Sequence, residues 1–137
     1  MEKASLKFNI ASDLSAATEV QRAIMDAVAA HGYSENGIFA IKLSLEEALV
    51  NAIKHGNKLD PKKRVRVQAN VDDKQCEIVI EDQGPGFDRA KVPDPTADEN
   101  LTKCSGRGLL LIEAYMTSVQ YSKGGRRVRL LKLNDGK

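Results

Sequence analysis

Cysteine, histidine and net charge are all scarce in this chain, and each scarcity removes a class of function. The two cysteines, Cys76 and Cys104, stand 28 positions apart outside any CxxC pattern, and the histidines are not clustered. Neither a zinc site nor a disulfide framework is indicated, and both thiols are expected to be free in a reducing cytosol. Lysine and arginine total 21 against 19 acidic residues, a net charge of +2, too small to imply a nucleic-acid partner through bulk electrostatics. The densest basic stretch, KGGRRVRLLK from Lys123 to Lys132, alternates charge with Val and Leu and reads as a solvated hairpin face. No apolar run approaches the roughly 18 residues of a spanning helix, and MEKASLKFNIA has neither an apolar h-region nor a cleavage pattern. A soluble cytoplasmic protein with no membrane and no direct nucleic-acid partner is expected. Repeats, linkers and low-complexity tracts are absent too, so residues 1–137 read as one domain, long enough for a real core.

Along the chain, SLKFNIAS alternates Leu6, Phe8 and Ile10 with polar neighbours, the period of a half-buried strand. After a Ser12-Asp13 cap, Ala17, Val20, Ile24 and Ala27 recur at helical spacing, and Gly32 marks the stop. A second helix is predicted from Ser34 to His55, with Ile38, Ile41, Leu45, Ala48 and Ala52 as its apolar stripe and Gly56 at its end. RVRVQANV and CEIVIED alternate around the polar turn DDKQ, which predicts an antiparallel hairpin. Residues 88–105 hold two prolines and no sustained period. A connection longer than about 12–15 residues is commonly a functional lid or a disordered segment, so this one is a lid candidate. GRGLLLIEAYM resumes a helical pattern with Leu109, Ile112 and Met116 on one face; SVQYS, a Gly124-Gly125 turn and RRVRLLKL form a last hairpin. The expected fold is α/β (α+β), a two-layer sandwich with helices on one face of a mixed sheet.

Three features could carry chemistry. Glu47 and Asn51, four apart on the second helix, share one side of it with Ser44 and Lys54 near the same line. A carboxylate and an amide so held can position a hydroxyl and a metal ion, or can be an ordinary solvated face. Glu46 is adjacent and points elsewhere. In EDQGPGF, residues 81–87, a carboxylate ends a strand and is followed by a Gly-Pro-Gly turn. Gly106 and Gly108 precede a helix, where free backbone N–H groups and the positive dipole end favour an anion such as phosphate.

Taken in order, EEALVNAIKHG, EDQGPGF, the lid candidate and GRGLLLI resemble the N box, G1 box and G2 box of the GHKL ATPase/kinase superfamily, which has the Bergerat ATP-binding fold. The short length, the NAIKHGN ending and the SGRGLLLIEAYM segment are similar to those of the anti-sigma factor serine/threonine kinases. The resemblance spans roughly residues 5–134. It implies that Glu47 is the general base on the attacking hydroxyl and that Asn51 is a magnesium ligand completed by ATP phosphates. It implies further that Asp82 accepts from the adenine amino group, while Gly84 and Gly86 leave the main chain open to the base. Gly106 and Gly108 match the glycines that wrap the phosphates, with Arg107 and Leu109 in the same ATP-binding segment, and residues 88–105 match the ATP lid. Lys103 or Arg107 either reaches a phosphate or is a solvated lid charge. Lys54 and His55 either contact phosphate or a metal-bound water, or complement the helix C-terminal dipole. Where many relatives carry Gly followed by Thr or Ser before the last strand, this chain has GGRRV, with Arg126 in that place. One adenine-side contact therefore differs.

The function implied is an ATP- and Mg²⁺-dependent protein kinase that phosphorylates a STAS-domain anti-anti-sigma protein and sequesters a sigma factor, with homodimerisation plausible by resemblance. A non-catalytic module in which ATP only sets the lid, and the detached catalytic domain of a histidine kinase, are the other function classes. The last lacks a dimerisation helix bearing a phosphoacceptor histidine.

Overall fold

The computed structural model describes residues 3–84 and 112–134. Its elements are β1 (Ala4–Ala11), α1 (Leu14–Ala30), α2 (Glu35–Val50), a π-helical turn (Asn51–Gly56), β2 (Arg64–Val71), β3 (Gln75–Glu81), β4 (Ser118–Ser122) and β5 (Arg127–Leu133). Residues 112–115 are also helical, while the lid candidate lies outside the described residues.

Local chemistry accounts for the helix starts. Asp13 caps α1 by accepting from the Ser15 N–H at 2.9 Å, and Ser34 caps α2 by accepting from the Gly37 N–H at 3.0 Å. Each cap satisfies one of the N–H groups that a helix start leaves unpaired. Gly32, at φ 73°, takes the left-handed conformation that stops α1 as expected. The inner face of α1 is Ala17, Val20, Ile24 and Val28. Val28 thus takes the place predicted for Ala27, which is only partly buried.

The sheet order is β1-β2-β3-β5-β4. Each of its four pairings is antiparallel, so the sheet expected to be mixed is antiparallel throughout the described residues. Two features explain this. A helix pair, α1 and α2, links β1 to β2 and returns the chain reversed. β3 and β4 do point the same way, since each opposes β5, but β5 lies between them and no parallel pair forms.

The register puts Phe8 opposite Val67 and Val67 opposite Ile80, with Ile80 opposite Val128. Every second residue therefore meets α1 and α2 in one core, which Ile112 and Met116 also join. Side chains on the other face, such as Lys7, Arg66 and Gln68, are exposed. The two-layer arrangement with helices on one face is as expected. Cys76 is free and fully buried in this core, and burial pushes its thiol up to about 12. No helix among the described residues is long and apolar enough to cross a membrane.

Candidate nucleotide-binding site

The second helix does not run unbroken to His55. After Val50 it widens into the π turn, in which the Asn57 N–H bonds the Ala52 carbonyl at 2.8 Å, five residues back. Such turns cost regular hydrogen bonding and concentrate at functional positions. Here the turn holds Asn51, Lys54 and His55, three of the residues singled out from the sequence.

One side of this helix is polar and inward. Ser44 Oγ, Asn51 Nδ2 and His55 Nε2 are buried and make no hydrogen bond among the described residues. Leaving a buried polar atom unpaired costs about 1–3 kcal/mol, so the three together mark a seam suited to a polar ligand. Glu47 lies three residues beyond Ser44 and four before Asn51, and is half-buried, whereas Glu46 is exposed. The carboxylate on the seam is thus Glu47. Burial, reinforced by the Lys54 charge, lowers the pKa of His55, and the Glu47 carboxylate opposes the change. The imidazole is therefore neutral at pH 7. Lys54 itself is exposed.

Asp82 follows β3 immediately. Its N–H donates to the Arg126 carbonyl at 2.9 Å, and its Oδ1 accepts from the Gly84 N–H at 2.8 Å. That arrangement leaves Oδ2 unused by the turn. Burial raises the Asp82 pKa, against the Gly84 hydrogen bond and the Arg126 charge, which lower it. Because the folded pKa lies above the unfolded one, Asp82 contributes stability at low pH that is lost as pH rises through the folded value. The ionised carboxylate is a cost to the fold near neutrality, which is the profile of a group kept for binding.

The N-box end and the G1 turn touch. A Cβ on Gly56 would lie 2.5 Å from Asp82 Oδ2, and one on Gly84 would lie 2.0 Å from the Gly56 carbonyl oxygen. Segments almost thirty positions apart in sequence thus form one surface, with the Asp82 carboxylate packed on the residue that follows His55. The missing Cβ of Gly84 makes room for the Gly56 carbonyl. Arg126 does stand at this corner: its carbonyl holds Asp82, and its Nε donates to the Lys123 carbonyl at 3.1 Å. Gly86, Lys103, Gly106, Arg107, Gly108 and Leu109 lie outside the described residues.

Sequence reasoning passed over Asn57. Its side chain is fully buried, its Nδ2 donates to Ser12 Oγ at 2.9 Å and to the Arg64 carbonyl at 3.0 Å, and its Oδ1 accepts from the Gln83 N–H at 2.7 Å. Lys58 and Leu59, which follow it, both adopt left-handed backbone, φ 54° and 59°, at about 1–2 kcal/mol each. In KHGNKLD an asparagine beside a glycine reads as a turn residue, and only the long-range partners reveal otherwise.

A helix-backed antiparallel sheet, with an N-box seam meeting a G1 turn at its rim, defines a Bergerat-type ATP-binding domain. The chain belongs to the histidine kinase-like ATPase domain family, which matches residues 10–132. It is 34% identical over 101 residues to the anti-sigma F factor of Clostridium perfringens strain 13, covering 69% of this chain and 71% of that protein. It is 31% identical over 114 residues to the serine-protein kinase RsbW of Bacillus velezensis, covering 77% and 70%. The crystal structure of the RsbU and RsbW domains of a Mycobacterium tuberculosis protein superposes with a TM-score of 0.64 at 19% identity. That likeness speaks to fold alone; it covers 96% of this chain and 32% of the other. Family, fold and relatives agree on a GHKL-type ATPase domain resembling the anti-sigma factor serine kinases.

Proposed function

We propose that the protein is a cytoplasmic serine/threonine kinase and anti-sigma factor. It transfers the γ-phosphoryl group of ATP to a serine or threonine of a STAS-domain anti-anti-sigma protein, and it sequesters a sigma factor in the same partner-switching circuit. The observation that carries this reading is the meeting of the Asn51–His55 turn with the Asp82 turn at Gly56, which supports a site whose phosphate end would lie on the first turn and whose base end would lie on the second.

Asp82 Oδ2 would accept from the adenine amino group, since Oδ1 is committed to the Gly84 N–H. Asn51 would hold magnesium together with phosphate oxygens. Its buried Nδ2 makes no hydrogen bond among the described residues, a donor suited to a phosphate oxygen, while the cation would be met by the amide oxygen. Among the described residues no three His, Cys, Asp or Glu side chains converge to hold an ion by themselves. Bound magnesium supplies charge neutralisation of the phosphates. Glu47 takes the proton of the attacking hydroxyl as the new bond to phosphorus forms and the bond to ADP breaks. Positioning and charge neutralisation provide most of the acceleration in such transfers.

Calorimetric titration with ATP, with and without Mg²⁺, tests the reading. Wild type should bind in a magnesium-dependent way, and Asn51→Ala should lose that dependence. Asp82→Asn should weaken ATP by roughly tenfold to a hundredfold, the worth of a hydrogen bond to a charged group. An amide cannot present an acceptor both to the Gly84 N–H and to the base. The same variant removes a buried charge, so its melting temperature without nucleotide at pH 7 should not fall below that of wild type. A well-folded wild type that binds no ATP would overturn the proposal. Binding without transfer of label to any STAS protein would leave a nucleotide-sensing module instead.

A further inference from the structure

We propose that Asn57 is a positioning residue for base recognition, holding the Gln83 main chain so that the neighbouring Asp82 carboxylate faces the adenine. This rests on the reading of Asp82 given above. Asn57 sits where three chain segments meet. Its Nδ2 ties the end of β1, through Ser12 Oγ, to the start of β2, through the Arg64 carbonyl, while its Oδ1 receives the Gln83 N–H. All three bonds come from one side chain with no solvent exposure, so none is exchanged for water at low cost.

Gln83 is fixed a second time, since its Oε1 accepts from the Arg64 N–H at 2.6 Å. With the Asp82 N–H bound to the Arg126 carbonyl, the peptide units on both sides of the Asp82 side chain are anchored. The Asn57 bond fixes the downstream one. Without it, the Gln83 N–H is unpaired and the turn carrying Asp82 can rotate relative to the π turn.

The consequence is specific to the base. A carboxylate aimed at the exocyclic amino group favours adenine and disfavours guanine, which presents a carbonyl oxygen there. Loosening the turn should therefore reduce discrimination as well as affinity, whereas a purely structural role would not alter the ratio between two nucleotides.

The test measures Mg·ATP and Mg·GTP affinities for wild type, Asn57→Ser, Gln83→Ala and Ser12→Ala, each checked by circular dichroism and thermal melting. Folded Asn57→Ser should bind ATP about tenfold more weakly, the worth of one hydrogen bond at a binding turn, and its preference for ATP over GTP should shrink to match. Gln83→Ala should shrink the preference in the same direction; its exposed side chain can be removed without threatening the fold, so it decides the matter if Asn57→Ser does not fold. Ser12→Ala removes the other arm of the network and should lower the melting temperature while keeping the preference. Adding Asp82→Asn to Asn57→Ser should cost less than Asp82→Asn alone, because the two act on one contact. Wild-type preference in a folded Asn57→Ser or in Gln83→Ala would overturn this proposal alone, as would an equal loss in Ser12→Ala. A wild type with no preference for ATP would overturn the reading of Asp82 along with it.

Discussion

Glu47→Ala is expected to slow phosphoryl transfer by about 10² to 10⁴-fold, the usual contribution of a positioned general base, while ATP affinity stays near that of wild type. The expectation follows from where Glu47 stands. Leu45, Ala48 and Leu49 around it are buried in the core, so the helix backbone is held by apolar packing that the substitution does not touch. The side chain itself is half-buried on the polar seam, one turn from Asn51, and no hydrogen bond or ion pair ties its carboxylate to the other described residues. Loss should therefore appear in the rate and not in binding. Label transfer from γ-phosphate-labelled ATP to a purified STAS substrate measures the first quantity, and calorimetry the second. Glu46→Ala is the control, because that neighbour is exposed and off the seam, and it should transfer at the wild-type rate. Near-normal transfer by Glu47→Ala would remove Glu47 from the role of base.

The parts of this site that could be read from the sequence are those with local periods or fixed spacing. The alternation in RVRVQANV and CEIVIED placed β2 and β3 to within a residue, and helical spacing found both α1 and α2. The π turn escaped because a single widened turn of six residues leaves the apolar pattern almost unchanged: Ala52 and Ile53 remain buried within it. The place of β5 between β3 and β4 escaped for a different reason. Hairpin partners are adjacent in sequence, but the pairing of Glu81 with Arg127 spans the whole segment between them, and alternation alone does not name a distant neighbour. Asn57 and Gly56 belong to the same category. Their importance lies in contacts with residues 82–84, and residue type at one position carries little information about a surface pressed against it from far along the chain.

That surface makes Gly84→Ala the substitution with the broadest expected effect. Its new methyl carbon would lie 2.0 Å from the Gly56 carbonyl oxygen, 2.5 Å from the Gly56 carbonyl carbon and 3.1 Å from Asp82 Oδ1. The first two are backbone atoms of the π turn, so relief requires the G1 turn to move away from the N box. Overpacking of this kind costs about 1–3 kcal/mol, a large part of a typical domain stability of about 5–15 kcal/mol. The displacement also separates the Asp82 carboxylate from the Asn51–His55 turn. Gly84→Ala should therefore lower the melting temperature and abolish measurable ATP binding together. Gly56→Ala separates these effects. Its methyl group meets the Asp82 carboxylate at 2.5–2.9 Å, and a side chain can swing aside where a backbone cannot. The fold should largely survive while the Asp82 carboxylate is displaced, so on the proposed reading ATP affinity should fall much further than stability. Thermal melting and calorimetry on the pair distinguish the two cases. Wild-type affinity in Gly56→Ala would mean that Asp82 does not read the base from this position, and wild-type stability in Gly84→Ala would mean that the contact between the two boxes is not rigid.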